Sequence, residues 1–319
     1  MPAEAGAGKK IPVYGPPPIG PRDPLLQNFV RLLRNSYLQT EARGEGLEMY
    51  RSCAAQLSGM CGERWVQRTI LRDDHLVART FLKETGLPVP DPEAFLRHSL
   101  MANLWRLVWY GLLERFDRRD FDAICSVTGA EHLRAALAAG RGIVVTHIHA
   151  VLAPAFWIWL EHQGIPTGVT IWQWRWGSKA AGTNDPKVRT VESARELHLA
   201  MRTLREGGLT QILPDGHQGS RKVVLPFFNR QRGFEPTFVD LVLATGACIV
   251  RPVIRIALDG GISIDIEPPI TDGSSGRDRA ETTDALMRQY VAHLEKHWRG
   301  HPADIPSFQM QRHLQLPPV

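Results

Sequence analysis

The sequence predicts an α/β fold: a mainly parallel central sheet flanked by helices and preceded by a helical N-terminal region. From about residue 118 onward, short apolar runs rich in β-branched residues, such as residues 143–146 and 209–213, alternate with helical segments. Glycines follow several of these helical segments, as expected where a helix stops. This alternation is typical of parallel strands whose connecting helices cover both faces of a sheet. Because 43% of the 319 residues are hydrophobic, the chain can build one large core.

Composition predicts three regions. Residues 1–24 are rich in Pro and Gly, include three consecutive prolines at 16–18, and are predicted to be a disordered tail. Residues 25–117 are predicted to be a helical N-terminal region, broken by prolines at 88, 90 and 92. Residues 118–319 are predicted to form the α/β domain.

The elements of this domain follow from periodicity and from their flanking glycines. Stretches rich in apolar and β-branched residues predict strands at 121–127, 143–146, 168–176, 209–213, 247–257 and 262–266, and the stretch at 143–146 is continuously apolar. Helical spacing predicts helices at 130–139, 153–163, 193–206, 238–245 and 284–299. Sites in such sheets lie beyond the carboxyl ends of the strands.

Charge and cysteine content restrict the partners and the compartment. A net charge of +5 favours anionic partners such as a phospholipid surface, a phosphopantetheine carrier, coenzyme A or RNA, without choosing among them. The four cysteines lack metal-type spacing and are expected to be reduced, which predicts a cytoplasmic protein. Neither a secretory signal nor an apolar run of about 18 residues is visible, so contact with the inner membrane would be peripheral.

His149 is the main catalytic candidate. The predicted strand at 143–146 leads directly into His147-Ile148-His149, and a helix is predicted a few residues later. His149 is therefore expected at the edge of the sheet beside a helix N-terminus, where a neutral imidazole can accept a proton. The alternative is a hydrogen-bonded histidine that is partly buried.

Asp215 is the second catalytic candidate. It follows the predicted strand at 209–213, within the turn Pro214-Asp-Gly-His-Gln-Gly219. Gly216 would let a ligand approach the backbone closely. The alternative is an Asp-Gly turn with a solvated carboxylate.

Further residues are candidates for substrate binding. The alternating indoles around Trp174 could line an acyl groove, and Phe227 and Phe228 could form its wall. Arg230, with its basic neighbours, could hold a phosphate, and His147 could contact the substrate. Core packing and a charged surface are the alternatives.

Several motifs in order resemble the bacterial lipid A biosynthesis acyltransferases, the lauroyl and myristoyl transferases. The first is the run from Val127 to His149, in which a helix starting near a Gly-x-Glu is followed by Gly-x-Gly and a strand ending in histidine. The remaining motifs are Leu204-Arg-Glu-Gly-Gly leading to Leu213-Pro-Asp215, Pro226-Phe-Phe-Asn-Arg230, Leu243-Ala-Thr-Gly-Ala247 and a faint His301-Pro-Ala-Asp304. The resemblance covers residues 121–268 and implies a glycerolphosphate-acyltransferase-like fold.

The resemblance implies a reaction without a cofactor. His149 would be the general base, and a hydroxyl or amine acceptor would attack the thioester of an acyl carrier protein or of coenzyme A. In the family an acid stands five positions after this histidine, but here that position is Pro154. Asp215 could supply the missing carboxylate, His149 could act unassisted, or the protein could bind acyl chains without catalysis. A divergent member that acylates a lipid or a specialised metabolite fits these departures.

Two other function classes remain open. His147, His149, Asp215 and His217 could chelate a metal for hydrolysis, although no fuller metal-hydrolase pattern follows. The second function class is a binding module for acyl chains or for their carrier. Nucleic acid is not predicted as a partner, since no RNA-binding motif is visible.

Overall fold

A computed structural model describes residues 46–108, 113, 116–165, 167–171, 194–216, 221–271 and 278–318. Helices and mainly parallel sheets alternate in the second part of the chain, after a helical N-terminal region, so the predicted fold class is confirmed. The predicted tail at 1–24 and two candidate residues, Trp174 and His217, lie outside the described residues.

The described part of the N-terminal region and the residues that follow it form helices that pack onto the α/β part. They are α1 (Gly46–Gly62), α2 (Arg64–Arg68), α3 (Arg72–Thr85), α4 (Pro92–Val108) and α5 (Arg118–Asp122). Tyr50 of α1 stacks on Trp105 of α4 with ring centroids 4.8 Å apart. The Tyr50 hydroxyl also donates a hydrogen bond to the Gly260 carbonyl oxygen at 2.7 Å. These contacts join the helical region to the sheet through one buried aromatic cluster.

The main sheet has four parallel strands in the order β3, β4, β2, β7. Their bounds are β2 (Ile143–Thr146), β3 (Thr167–Ile171), β4 (Leu209–Ile212) and β7 (Cys248–Val250). β2 is central and every residue in it is buried, which explains its continuous apolar sequence.

A second sheet contains β1 (Cys125–Thr128), β9 (Ile262–Ile266) and β8 (Pro252–Ile256) in that order. β1 is parallel to β9, whereas β8 and β9 form an antiparallel pair. Arg251 alone separates β8 from β7, so the chain passes directly from one sheet to the other. A separate hairpin pairs β5 (Val223–Phe227) with β6 (Arg230–Phe234).

The described residues contain six further helices. They are α6 (Ala130–Ala138), α7 (Ala155–His162), α8 (Ala194–Arg205), α9 (Thr237–Thr245), α10 (Arg279–Gly300) and α11 (Ser307–Leu314). None of the helices in the described residues is long and apolar enough to cross a lipid bilayer. All four cysteines are unpaired and buried.

Several predicted boundaries differ from the observed ones. The strand predicted at 121–127 is partly helical, because the Asp117 side chain caps α5 by accepting a hydrogen bond from the Asp120 amide at 2.8 Å. The strand predicted at 247–257 is divided at Arg251, next to Pro252, whose nitrogen cannot donate to a ladder. The β5–β6 hairpin and α11 were not predicted.

Candidate active site

The register of two neighbouring strands creates the site. β2 and β4 are parallel, and their last paired residues are Thr146 and Ile212. The His147 amide extends this ladder by donating to the Ile212 carbonyl oxygen at 2.9 Å. The segments that follow β2 and β4 therefore leave the sheet side by side and at the same level.

His149 and Asp215 meet at this edge. The His149 Nδ1 and Asp215 Oδ1 atoms are 2.7 Å apart. The backbone amide of His149 donates a second hydrogen bond to Asp215 Oδ2 at 3.1 Å. One carboxylate thus binds the ring and the backbone of the same residue, which restricts the orientation of the imidazole and directs Nε2 away from Asp215.

The carboxylate of Asp215 is fully buried but remains ionised. Burial alone would raise its pKa, but the charge and hydrogen bond of His149, together with the nearby Arg232, lower the pKa of Asp215 to about 2. An ionised carboxylate accepts hydrogen bonds only, so the Nδ1 atom of His149 carries the proton. Nε2 is then the basic nitrogen of the neutral ring.

The imidazole of His149 reaches the surface only in part. Its side chain is 16% exposed, and the Phe308 ring lies edge-on to it at 5.7 Å between centroids. A Cβ atom placed on Gly216 would lie 3.9 Å from His149 Cε1. Gly216 therefore leaves space beside the ring that a side chain would fill.

Three cationic side chains surround the backbone after β4. Arg232 and Arg312 donate to the Asp215 carbonyl oxygen at 3.1 and 2.9 Å. The Lys222 ammonium group donates to the Gly216 carbonyl oxygen at 3.1 Å and pairs with Glu235 at 2.9 Å. The turn that carries Asp215 is thus tied to β6 and α11 as well as to its own strand.

His147 occupies a different environment from His149. Its ring is buried, its Nε2 atom is 2.5 Å from Gln211 Oε1, and Phe156 lies edge-on at 5.4 Å. Burial lowers the pKa of His147 to about 4, which keeps the ring neutral. The structure thus places His147 in the interior, and a substrate-binding role for it stays a prediction.

The other predicted binding residues make internal contacts. Phe227 is fully buried, and Phe228 packs against Trp298 with a φ of 52°, which is rare for a residue other than glycine. Arg230 donates to the Leu316 carbonyl oxygen at 2.9 Å and lies 3.5 Å from a Glu84 carboxylate oxygen. Binding of substrate by these three residues stays a prediction.

Pro154 is the N-cap residue of α7. It is buried, and it precedes α7 with a φ of −65°. Its carbonyl oxygen accepts hydrogen bonds from the amides of Trp157 and Ile158 at 2.9 and 3.2 Å. Proline suits this position because the first turn of a helix needs no amide donor there.

A family model described as bacterial lipid A biosynthesis acyltransferase matches residues 91–304. This range is more than half of the 319-residue chain. The chain belongs to this family. Membership in the lipid A biosynthesis acyltransferase family supports an acyltransferase activity in general. A comparison with curated proteins found no significant match.

The family range contains the whole His149–Asp215 pair but not all of its surroundings. Arg232 lies within the range, whereas Phe308, Gln309 and Arg312 of α11 lie beyond residue 304. The weak sequence signal in this last segment explains why its residues were missed. Arg232 was visible only as one member of a basic cluster around Arg230.

Metal binding gains no geometric support from the described part of the chain. There, no group of three His, Cys, Asp or Glu side chains is placed to hold an ion. His147 and His149 point to different partners, Gln211 and Asp215. The predicted fourth ligand, His217, lies outside the described residues.

Proposed function

We propose that the protein transfers an acyl group from a carrier thioester to a hydroxyl or amine acceptor, with His149 as the general base. The donor would be an acyl carrier protein or coenzyme A thioester, and the acceptor a lipid or a specialised metabolite. The observation that carries this proposal is the 2.7 Å contact between His149 Nδ1 and Asp215 Oδ1 at the edge of the sheet. Family membership supplies the reaction class.

The proposed step balances without a cofactor. His149 Nε2 takes the proton of the acceptor as its oxygen or nitrogen attacks the thioester carbonyl carbon. A bond from the acceptor to carbon forms, the carbon–sulfur bond breaks, and the thiolate leaves with the electron pair. The proton on His149 then neutralises the thiolate, while Asp215 stays ionised and stabilises the transient imidazolium.

Asp215 supplies the carboxylate that Pro154 lacks. The residue five positions after His149 lacks a carboxylate, but Asp215 reaches Nδ1 from the neighbouring strand. A carboxylate from either direction would hold the same tautomer, because only its contact with Nδ1 matters. This arrangement supports a catalytic pair of His149 and Asp215, the dyad, over an unassisted histidine. It also supports such a pair over a protein that only binds acyl chains.

We propose that any peripheral contact with an anionic membrane is made by α2 and α3. Among the described residues, Trp65 and Leu76 are the most exposed large apolar side chains, at 64% and 60%. Between residues 63 and 85, four exposed arginines outnumber the three exposed acids Glu63, Asp73 and Glu84; they are Arg64, Arg68, Arg72 and Arg79. An aromatic residue among arginines is typical of proteins that bind lipid headgroups from the surface.

Vesicle binding tests this contact. We expect co-sedimentation with vesicles of phosphatidylglycerol and phosphatidylcholine, weakened in Trp65→Ala and at high salt. Val224→Ala removes an apolar side chain that is 49% exposed on a different element, and serves as the control. Equal sedimentation with and without phosphatidylglycerol would contradict the proposal.

Turnover tests the transferase itself. Purified protein is incubated with dodecanoyl-CoA or dodecanoyl acyl carrier protein and a panel of hydroxyl and amine acceptors, and free thiol is measured with a chromogenic reagent. The background is expected to be low because all four cysteines are buried, and burial raises the pKa of Cys61 and Cys125 to about 12.

Two histidine variants give the comparison. His149→Gln is expected to lose about 10²–10⁴-fold in turnover. His132→Gln, which changes a half-exposed histidine on α6, is expected to match the unchanged protein. Acyl-chain binding without turnover would favour a binding protein, and full turnover in His149→Gln would exclude this histidine as the base.

A further inference from the structure

The guanidinium group of Arg232 is buried among three aromatic rings next to the dyad. Its side chain has no exposed surface, and its Cζ atom lies 5.1–5.4 Å from the centroids of the Phe227, Phe234 and Trp298 rings. Among the described residues, its Nε and Nη1 atoms have no hydrogen-bond partner. Taking such a charge out of water is costly, so stability alone does not explain it.

The remaining nitrogen of Arg232 faces the dyad. Nη2 donates to the Asp215 carbonyl oxygen at 3.1 Å and to Gln309 Oε1 at 2.7 Å, and it lies 3.9 Å from Asp215 Oδ2. Within the described part of the chain, every polar contact of this buried cation is therefore with Asp215 or with Gln309 of α11.

Helix α11 also contacts the dyad directly. Arg312 donates from Nη1 to the Asp215 carbonyl oxygen at 2.9 Å and from Nη2 to the Gly216 carbonyl oxygen at 3.4 Å. One turn earlier, Phe308 lies edge-on to the His149 ring. The first amide of the helix, that of Ser307, donates to Asn103 Oδ1 on α4 at 2.9 Å, which anchors its start.

We propose that Arg232 is a positioning residue of the dyad and that α11 completes it, with Gln309 orienting Arg232 and Arg312 holding the Asp215 turn. This inference rests on the proposed function of His149 and Asp215. It assigns a role at the site to a helix that lies beyond the matched family range of residues 91–304.

Positioning follows from two effects of these contacts. Two guanidinium groups bind one carbonyl oxygen, so the Asp215 backbone cannot rotate without breaking both hydrogen bonds. The positive charge of Arg232 also favours the ionised carboxylate in a site where burial opposes it. The imidazole of His149 is then held in one orientation and one tautomer.

Histidine NMR tests the proposal without requiring a known acceptor. In protein labelled with ¹⁵N-histidine, the His149 signals are assigned by their loss in His149→Gln. The unchanged protein should show the Nδ1–H tautomer. In Arg232→Met and in Gln309→Ala, the pH at which the dyad gains a proton should rise by about one unit, because an opposing positive charge is lost or misplaced.

Turnover of dodecanoyl-CoA provides the second readout. For Gln309→Ala we expect kcat to fall about 100-fold with little change in KM, as for a slightly misplaced catalytic group. Arg312→Lys, which keeps the charge, should retain more activity than Arg312→Gln. Gln311→Ala, a half-exposed neighbour on the same helix, is the matched control.

The outcomes separate this inference from the proposed function. If Gln309→Ala and Arg312→Gln fold with an unchanged His149 tautomer and midpoint, α11 is only structural and the inference is wrong. Gln309→Ala and Arg312→Gln keep the test decisive if Arg232→Met does not fold. If His149→Gln retains full turnover, the proposed function fails whatever the spectra show.

Discussion

His149 and Asp215 each stand three positions after a paired strand residue, Thr146 in β2 and Ile212 in β4. The parallel register therefore brings two residues that are 66 positions apart into contact at 2.7 Å. The pair needs no unusual loop geometry, because the sheet itself sets its level. Any change that moves β2 relative to β4 would separate the imidazole from its carboxylate.

Asp215→Asn should impair both activity and stability. The amide leaves the buried Arg232 without its anionic partner, so the free energy of unfolding should fall by about 3–5 kcal/mol. Turnover should fall by about 10²–10⁴-fold, because an amide can stabilise the wrong tautomer. Urea unfolding and dodecanoyl-CoA turnover measure the two effects, and a stability change below about 1 kcal/mol would contradict the buried ion pair.

The pH dependence of this loss has a defined sign. The pKa of Asp215 is about 2 in the folded protein, below its ordinary value of 3.8, so its stabilising contribution is complete above about pH 4. The contribution disappears as the pH falls through 2. The difference in unfolding free energy between unchanged protein and Asp215→Asn should therefore shrink between pH 4 and pH 2.

The buried Asp304 is expected to give the opposite dependence of stability on pH. Its side chain is buried near His98, and burial raises the pKa of Asp304 to about 7 from 3.8, despite a hydrogen bond from the Ile256 amide at 3.3 Å. The folded protein then binds a proton that the unfolded chain has lost, so stability falls as the pH rises from about 4 to 7. The loss is on the order of 4 kcal/mol.

Asp304→Asn imitates the protonated carboxyl and tests this dependence. The variant should be more stable than the unchanged protein at pH 8 and similar to it at pH 4, by urea unfolding. Asp259→Asn, at an exposed acid lining the same cavity of about 560 Å³, should show no such trend. A flat difference across this pH range would disprove the raised pKa.

Gly216 predicts a steric effect on substrate. In Gly216→Ala the new Cβ would lie 3.2 Å from the Leu213 carbonyl oxygen and 3.9 Å from His149 Cε1. We expect a stability change within about 1 kcal/mol and a KM for dodecanoyl-CoA about ten-fold higher, the approximate cost of a clash of 1.4 kcal/mol. Gly300→Ala, which adds a methyl group to open space, should leave KM unchanged.

A side chain at position 142 is expected to impair folding and not the chemistry of the site. A Cβ atom there would lie 2.1 Å from the Leu204 carbonyl oxygen, so the end of α8 would have to move from the start of β2. Gly142→Ala should destabilise the protein by roughly 1–3 kcal/mol or more. The exposed helical Gly59→Ala, with nothing within 4 Å, should stabilise it slightly, and unfolding in urea compares the two.

Local sequence patterns predicted the strands that carry the site with good accuracy. The strand at Ile143–Thr146 was predicted with its observed bounds because it reads as a continuous apolar run. The strand at Leu209–Ile212 was predicted to within one residue because it directly follows two glycines that end a helix. The hairpin at 223–234 was missed because the apolar run of its first strand contains Pro226 and its second strand is polar and only partly buried. Helix α11 was missed because its glutamines, arginine and histidine do not form an apolar stripe.

By itself, the sequence determined the fold class, the family resemblance and the expectation that His149 and Asp215 follow neighbouring strands, since these depend on local periodicity and on motif order. Only the tertiary structure decided that Asp215 reaches Nδ1 of His149 and that Arg232 and Arg312 hold it. Those contacts depend on strand register and on the docking of a distant helix. Both are set by the packing of the whole core, which brings together residues that are far apart in the chain.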